Sequence, residues 1–356
     1  MDAAPPSVAR PATSPLWVDI LARLCAMRGA RLEVEPLYGY AGAITAADGR
    51  RFIFKGTNFD INGAGAAALA KDKDYASRFL AAAGLPVPRS LLLHSPRRVA
   101  ALALKNPAVA ARLPQVEAAA DFAHAAGWPV FVKPNEGSEG DGVTRVADED
   151  ALRRALDGLF AFHERVLVQQ AVAGADHRVI VLDGAVQGVF RRSPLSVTGD
   201  GRHGIAELAQ AVLGGFSAGG KGARVMLADP RIAAHLAAQG LTLESVPQAG
   251  ARIELLPNAN LSTGGVAQDV TERVGAHVGD LAIRAAKALG LRFAGVDLLL
   301  DGSAATDAWV LEVNSAPGLS YFHRLGTAEA ARVEGIYAAL LDAMLDGYVC
   351  GLLSHR

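Results

Sequence analysis

Cysteine is nearly missing from this chain: its 356 residues include two, Cys25 and Cys350. They match no metal-binding spacing and frame no disulfide scaffold, which favours a reducing, cytoplasmic setting. An excess of one charge is missing too. Lys and Arg number 35 against 36 Asp and Glu, a formal net charge of −1, and no block of like charge occurs. A nucleic-acid-binding surface is usually basic, so this balance argues against that partner. No apolar run is long enough to cross a membrane. The opening MDAAPPSVARPATSP lacks the apolar centre of a signal peptide and reads as a loose tail over residues 1–15. Two nucleotide signatures are also absent: no G-x-x-x-x-G-K-[ST] occurs, and no G-x-G-x-x-G follows the early strands.

What is present is a hydrophobic fraction of 51% in a chain long enough for two or three subdomains. Residues 16–27 have helical apolar spacing, RLEVEPL reads as a strand, and Asp48-Gly49 marks a hairpin turn. A helix over Lys71–Ala83 ends at Gly84, and Pro86 and Pro88 force an extended exit. Residues 95–127 form Ala-rich helix interrupted by Pro107 and Pro114. VLVQQ is a strand, and TERVGAHVGDLAIRAAKALGL and Ala328–Leu345 are helices. Thr198 and Asp200 are candidate caps for the helix following VTGDGRHG.

The chemistry concentrates in three places. VDLLL and AWVLEV, within Val296–Gly318, read as paired strands, each with a carboxylate where the pattern leads one to expect Leu or Val. Glu312 and Asn314 are two apart and share a face, which Asp297 joins if the strands pair. Such an oxygen set suits Mg2+, although strand-end carboxylates meeting water or a buried Arg fit the spacing equally well. WPVFVKPNEGSEGDGV places Phe131 and Lys133 on one strand face before a turn with Gly137, Gly140 and Gly142. Glycine amides surround anions well and a lysine adds charge, but a plain hairpin loop has the same composition. Finally, RVIVL and AVQGVF form a hairpin across Asp183-Gly184. A two-residue loop pairs Arg178 with Val189, which puts Asp176, Arg178 and Arg191 on one face and Arg192 on the other. These arginines, next to an acid, suit a phosphate or carboxylate, or simply water.

In this order, KDKDYASRFLAAAGLPVP, WPVFVKPNEGSEGDGV, VLVQQAVAGADHRVIV, RRSPLSVTGDGRHGI, GLTLESVP, NANLSTGG, AGVDLLL and VLEVNSAPG resemble the ATP-grasp superfamily. The likeness is nearest to the ATP-grasp modules of cyanophycin synthetases and bifunctional glutathione synthetases and covers roughly residues 65–325. It implies an α+β ATP-grasp fold, two α/β subdomains gripping ATP, behind a small N-terminal α/β module at 16–69. The ATP-grasp domain is expected over 70–345, with a lid subdomain at about 125–192 and a C-terminal tail at 346–356.

The resemblance also implies roles. Lys73 and Lys133 meet ATP phosphates, and Gly137, Ser138, Gly140 and Gly142 lie in a flap above them. Gln169 stands where the family usually has Glu toward adenine, Val172 completes that contact, and Asp176 faces ribose beside Arg178. Asp297, Glu312 and Asn314 hold Mg2+ or Mn2+. Arg192, together with Arg191, Asn260 and Ser262, steadies an acyl phosphate. The implied activity is ATP-dependent joining of a carboxylate and an amine on amino acids or peptides, with no nucleic acid or membrane partner and a homo-oligomer left open. The chain lacks the P-loop ligase domain of cyanophycin synthetases and the glutamate–cysteine ligase domain of the bifunctional enzymes. Its N-terminal module is short, and residues 97–115 look inserted, so the substrates are not named by the likeness.

Overall fold

The computed structural model describes residues 14–137, 140–218, 226–301 and 307–346. The chain opens with α1 (Leu16–Met27) and an antiparallel sheet of β1 (Arg31–Val34), β2 (Ala41–Thr45), β3 (Arg51–Lys55) and β4 (Asn58–Phe59), in sequence order. Next comes α2 (Ala64–Lys71), then α3 (Lys73–Ala82). The single helix expected over Lys71–Ala83 is therefore two. Asp72 leaves helical geometry (φ −88°, ψ 103°) and its carboxylate accepts from the Tyr75 amide at 3.0 Å. That cap starts a new helix with Lys73 in its first position.

The following elements are β5 (Ser90–His94), α4 (Pro96–Lys105), α5 (Pro107–Ala110), α6 (Ala118–Ala126), β6 (Val130–Pro134), β7 (Thr144–Val146), α7 (Glu149–Phe160) and β8 (Arg165–Gln170). The four strands form one sheet in the order β5-β8-β6-β7. Its alternation sends Val130, Val132, Val166 and Val168 into a core with Leu93, Leu152 and Leu156. Phe131, Lys133 and Gln169 occupy the opposite face by the same period.

β9 (Ala175–Leu182) and β10 (Ala185–Ser193) turn at Asp183 and Gly184, both at positive φ, as a tight hairpin requires. The strands within the range of about 125–192 divide between two sheets. β5 joins the small sheet, whereas β9 and β10 belong to the large one. Val179–Leu182 are all buried, and a strand apolar on both faces needs cover on both sides. A compact unit follows: β11 (Ser196–Thr198), α8 (Ile205–Ala218), α9 (Pro230–Ala238) and β12 (Arg252–Glu254). β11 pairs with β12 over a core that includes Leu195, Val197, Ile232, Leu236, Leu255 and Leu256. Asp200 accepts from the Arg202 and His203 amides, both at 2.9 Å, so it shapes the preceding turn rather than capping α8.

The chain ends with β13 (Val266–Asp269), α10 (Ala276–Ala288), β14 (Phe293–Asp301), β15 (Asp307–Asn314), α11 (Ser320–His323) and α12 (Thr327–Leu345). Residues 271–275, expected to be helical, precede α10. The large sheet is antiparallel in the order β13-β10-β9-β14-β15. One of its faces packs Val179, Val181, Val296 and Leu298 against α10. The other packs Ile180, Phe190 and Phe293 against α1, α11 and α12, leaving the part toward Asp297 for the site. Asn62 ties the N-terminal module to this sheet, donating to the Phe293 and Ser315 carbonyls at 2.7 and 2.9 Å. Its carbonyl oxygen accepts from the amides of Arg292 and Phe293 at 2.8 and 3.0 Å. Among the described residues, no helix is long and apolar enough to cross a membrane.

Candidate active site

Two lysines approach one cleft from different elements. Lys133, on β6, is 7% exposed and donates to Gln169 Oε1 at 2.7 Å. Burial pushes its pKa down to about 8, against the partial support of Glu312 and with a further push from Lys73. Lys73 is fixed by its backbone: its amide donates to the Asn135 carbonyl at 3.2 Å, and the Asp74 amide donates to Asn135 Oδ1 at 3.0 Å. Arg165 donates to the capping Asp72 carboxylate at 2.6 Å. The Lys73 ammonium then reaches the Gly137 carbonyl at 2.9 Å and lies 3.5 Å from Glu312 Oε1.

The large sheet supplies the floor. Asp297 is the cross-strand partner of both Glu312 and Arg178, and Gly295 is the partner of Asn314. The expected strand pairing is therefore present, with Asp297 opposite Glu312 and Asn314 two residues further along the same face. The expected hairpin register is not. An irregularity at Gln187, between Val186 and Gly188, slides β10 by one residue, so Phe190 opposes Arg178 and Arg192 opposes Asp176. A one-residue slip exchanges the two faces. Arg192 thus faces the site with Asp176, while Arg191 falls with His177 and is still one of the residues lining the cavity.

Arg178 forks onto Asp297, through Nε to Oδ1 and through Nη2 to Oδ2 at 2.7 Å. Arg192 Nη2 lies 3.1 Å from Asp297 Oδ2, and its Nε donates to Asp176 Oδ1 at 2.7 Å. Burial raises the Asp297 pKa on its own, but the Arg178 and Arg192 guanidinium charges outweigh it and hold the carboxyl below its usual range. Burial raises Asp176, which Arg192 only partly counters. Arg192 is driven the other way: burial lowers it, and the charges of Asp297 and Asp176 more than restore it. Buried ions persist only in such mutually satisfied groups. Gly295 leaves room for this fork, since a Cβ there would stand 2.8 Å from Pro317 Cβ and 3.0 Å from Arg178 Cδ.

A cover comes from two loops. Gly137, Gly140 and Gly142 all have positive φ. A Cβ at Gly140 would lie 2.5 Å from both Asn258 Nδ2 and Asn260 Nδ2, so the turn rests directly on the NANLSTGG loop. Ser138 lies outside the described residues. Around these groups is a cavity of about 640 Å3. It is lined by Lys73, Lys133, Gly137, Gly140, Gln169, Val172, Asp176, Arg178, Arg191, Arg192, Asn260, Asp297, Glu312 and Asn314. Two expected residues stand outside that lining. Gly142 packs against Leu159 and Pro134, and Ser262 is buried within its own loop. Sequence reasoning missed the supports Asp72, Asn135 and Arg165, as well as Arg252, Glu254 and Asn258 in the lining. An Asp before a helix is a cap signal that points to Asp72. Nothing in the spacing of the others marks them.

Among the described residues, no three His, Cys, Asp or Glu side chains gather as a metal cluster. Asp297, Glu312 and Asn314 instead offer carboxylate and amide oxygens on paired strands, Asp297 through the lone pair on Oδ1 that its two arginines leave open. That hard donor set fits a small cation whose remaining ligands are phosphate and water.

A family model described as the D-ala D-ala ligase C-terminus matches residues 102–196, and a RimK-like ATP-grasp domain matches residues 257–334. The chain belongs to the ATP-grasp superfamily. It is 33% identical over 258 residues to a cyanophycin synthetase of Trichormus variabilis, covering 70% of this chain and 26% of that protein. A bifunctional glutathione biosynthesis protein of Desulfotalea psychrophila is 25% identical over 315 residues, 85% of this chain and 38% of that one. Among solved structures, a bifunctional glutathione synthetase from Pasteurella multocida superposes with a TM-score of 0.57 at 23% identity, covering 94% of this chain and 44% of that chain. The expected ATP-grasp fold is therefore present. The chain spans less than half the length of each of these relatives.

Proposed function

We propose that this ATP-grasp chain joins a carboxylate to an amine through an acyl phosphate, using ATP and releasing ADP and phosphate, with amino acids or peptides as substrates. One observation carries the reading. Lys73 and Lys133 from one side and Asp297, Glu312 and Asn314 from the other line a single cavity of about 640 Å3. Phosphoryl transfer asks mainly for positioning and charge neutralisation, which these groups supply. The small sheet of β5 to β8 acts as the lid over the large sheet.

In this reading Lys73 and Lys133 neutralise the phosphates, and the amides of the Gly137–Gly142 turn close over them. The Gln169 oxygen is occupied by Lys133, so Gln169 positions that lysine and leaves the backbone around Val172 for the adenine edge. Asp176 faces the ribose while anchoring Arg192. Mg2+ or Mn2+ on Asp297, Glu312 and Asn314 supplies further neutralisation of phosphate charge when bound. Arg192, with Arg191 and the Asn260–Ser262 loop, stabilises oxygen charge on the acyl phosphate and on the tetrahedral species that the amine forms from it. Flap closure keeps water from the activated acyl group. One relative is named as a synthetase and one matching family model as a ligase, which supports this chemistry.

The test is an ADP-release screen over amino acids and dipeptides, with hydroxylamine as a trap. The expected outcome is substrate-dependent release of ADP and phosphate in equal amounts, an amide product by mass spectrometry, and a hydroxamate. Release of AMP and pyrophosphate would instead make the chain an adenylating enzyme and overturn the proposal.

A further inference from the structure

The unit over residues 195–256 has its own apolar core, built from residues such as Leu195, Val197, Ile232 and Leu256, and the phosphate chemistry uses none of it. It nevertheless reaches the cavity. On β12, Ile253 packs toward that core, so the strand period turns its neighbours Arg252 and Glu254 the other way. Both line the cavity beside Ser193, Pro194 and Asn258. The strand is held in place by pairing of Ser196 with Glu254 and of Thr198 with Arg252, and by Gln239 Nε2, which donates to the Glu254 carbonyl at 2.9 Å.

These two charges differ from most others in the cavity: Arg191 and Asp141 also line it without an ion pair among the described residues, but they stand on separate elements. Arg178, Arg192, Asp176 and Asp297 neutralise one another, and Lys73 and Lys133 have partners. Among the described residues, neither the Arg252 guanidinium nor the Glu254 carboxylate makes an ion pair or side-chain hydrogen bond. The Glu254 charge also acts on His235, whose pKa burial lowers and Glu254 partly restores. An arginine and a glutamate two residues apart on a rigid strand, both facing a ligand-sized cavity, match a ligand carrying one charge of each sign.

We propose that Arg252 and Glu254 recognise an amino-acid substrate by its charged ends, Arg252 taking the carboxylate that is not consumed and Glu254 the ammonium. This rests on the ligase reading and deepens it. It makes the 195–256 unit the specificity wall of the site and the substrate class a zwitterion.

Calorimetric titration of the full chain in the presence of ADP tests this without requiring turnover. The probes are the standard amino acids, their carboxamides and their N-acetyl derivatives. At least one free amino acid binds, and both of its blocked forms bind more weakly by roughly ten- to a hundredfold, the worth of a charge-assisted contact. Arg252→Ala abolishes the preference for the free acid over the carboxamide, and Glu254→Gln abolishes the preference over the N-acetyl form. ADP affinity stays at the wild-type value in both variants. Both side chains lie outside the unit's apolar core, and an unchanged thermal transition verifies that the fold is kept. The proposal is overturned if no free amino acid binds, if blocked and free forms bind alike, or if the variants keep wild-type preferences. Zwitterion binding without any ADP release would overturn the ligase reading and leave this recognition site standing.

Discussion

Lys133 sits in an environment that works against its own charge. It is buried, its near neighbour Lys73 is also cationic, and its hydrogen-bond partner Gln169 is neutral where a carboxylate would pay back the desolvation. The protonated form is the one that binds phosphate. With a pKa of about 8 in the free protein, raising the pH through that value discharges the lysine before ATP arrives. ATP affinity should therefore decline as pH rises from about 7 to 9, approaching tenfold per unit once the lysine is mostly neutral. Gln169→Glu supplies the missing countercharge, raises the Lys133 pKa and moves the decline to higher pH. Fluorescence titration with an ATP analogue across that range measures both curves. A flat wild-type profile would show that Lys133 does not meet the nucleotide. The Gln at 169 was readable in the sequence, but its grip on Lys133 was not, because the two residues are brought together by pairing of β6 with β8.

At the scale of elements, the pair β14–β15 carries the oxygen donors and the hairpin β9–β10 carries the arginines that bind one of them. The first was legible because Glu312 and Asn314 are two apart on one strand and only a period-2 argument is needed. The second was misread from hairpin geometry, because one extra residue at Gln187 exchanges Arg191 for Arg192. Bulges leave little trace in a sequence that is apolar on both faces. Glu312 lines the cavity and is not part of the arginine group, so Glu312→Gln should keep the thermal transition of wild type. It should weaken Mn2+ binding, read by paramagnetic relaxation of water protons, by about tenfold or more, the cost of a lost charged ligand. Equal Mn2+ affinity in the two proteins would remove Glu312 from the metal set.

Across the whole molecule, the N-terminal module is continuous with the large sheet. Trp17, Phe54 and Phe59 form one apolar cluster with Ile180, Phe190, Phe293, Tyr337 and Leu340. Trp17 packs edge-on against Phe54 and Phe59 at 5.3 and 5.8 Å between ring centroids. A module sharing its core in this way unfolds with the body rather than alone. Trp17, 4% exposed, replaced by Ala should cost about 3–5 kcal/mol, measured by urea denaturation, and should lower the midpoint of a single shared transition. An early separate transition, with the remainder unmoved, would show an independent module.

By itself the sequence determined the elements and the candidate groups. Apolar period placed α1, β9, β14 and α12, turn residues placed the Asp183–Gly184 hairpin, and the order of motifs pointed to an ATP-grasp fold, because these signals are local or additive along the chain. Tertiary structure decided which charges meet. The neutral group of Arg178, Asp297, Arg192 and Asp176 joins three strands. Asn135 unites a helix start with a strand end, and Arg252 and Glu254 reach the cavity from a unit beyond the large sheet. Electrostatic partners depend on distance through space and on burial. Neither is set until strand register and packing fix which side chains share a face.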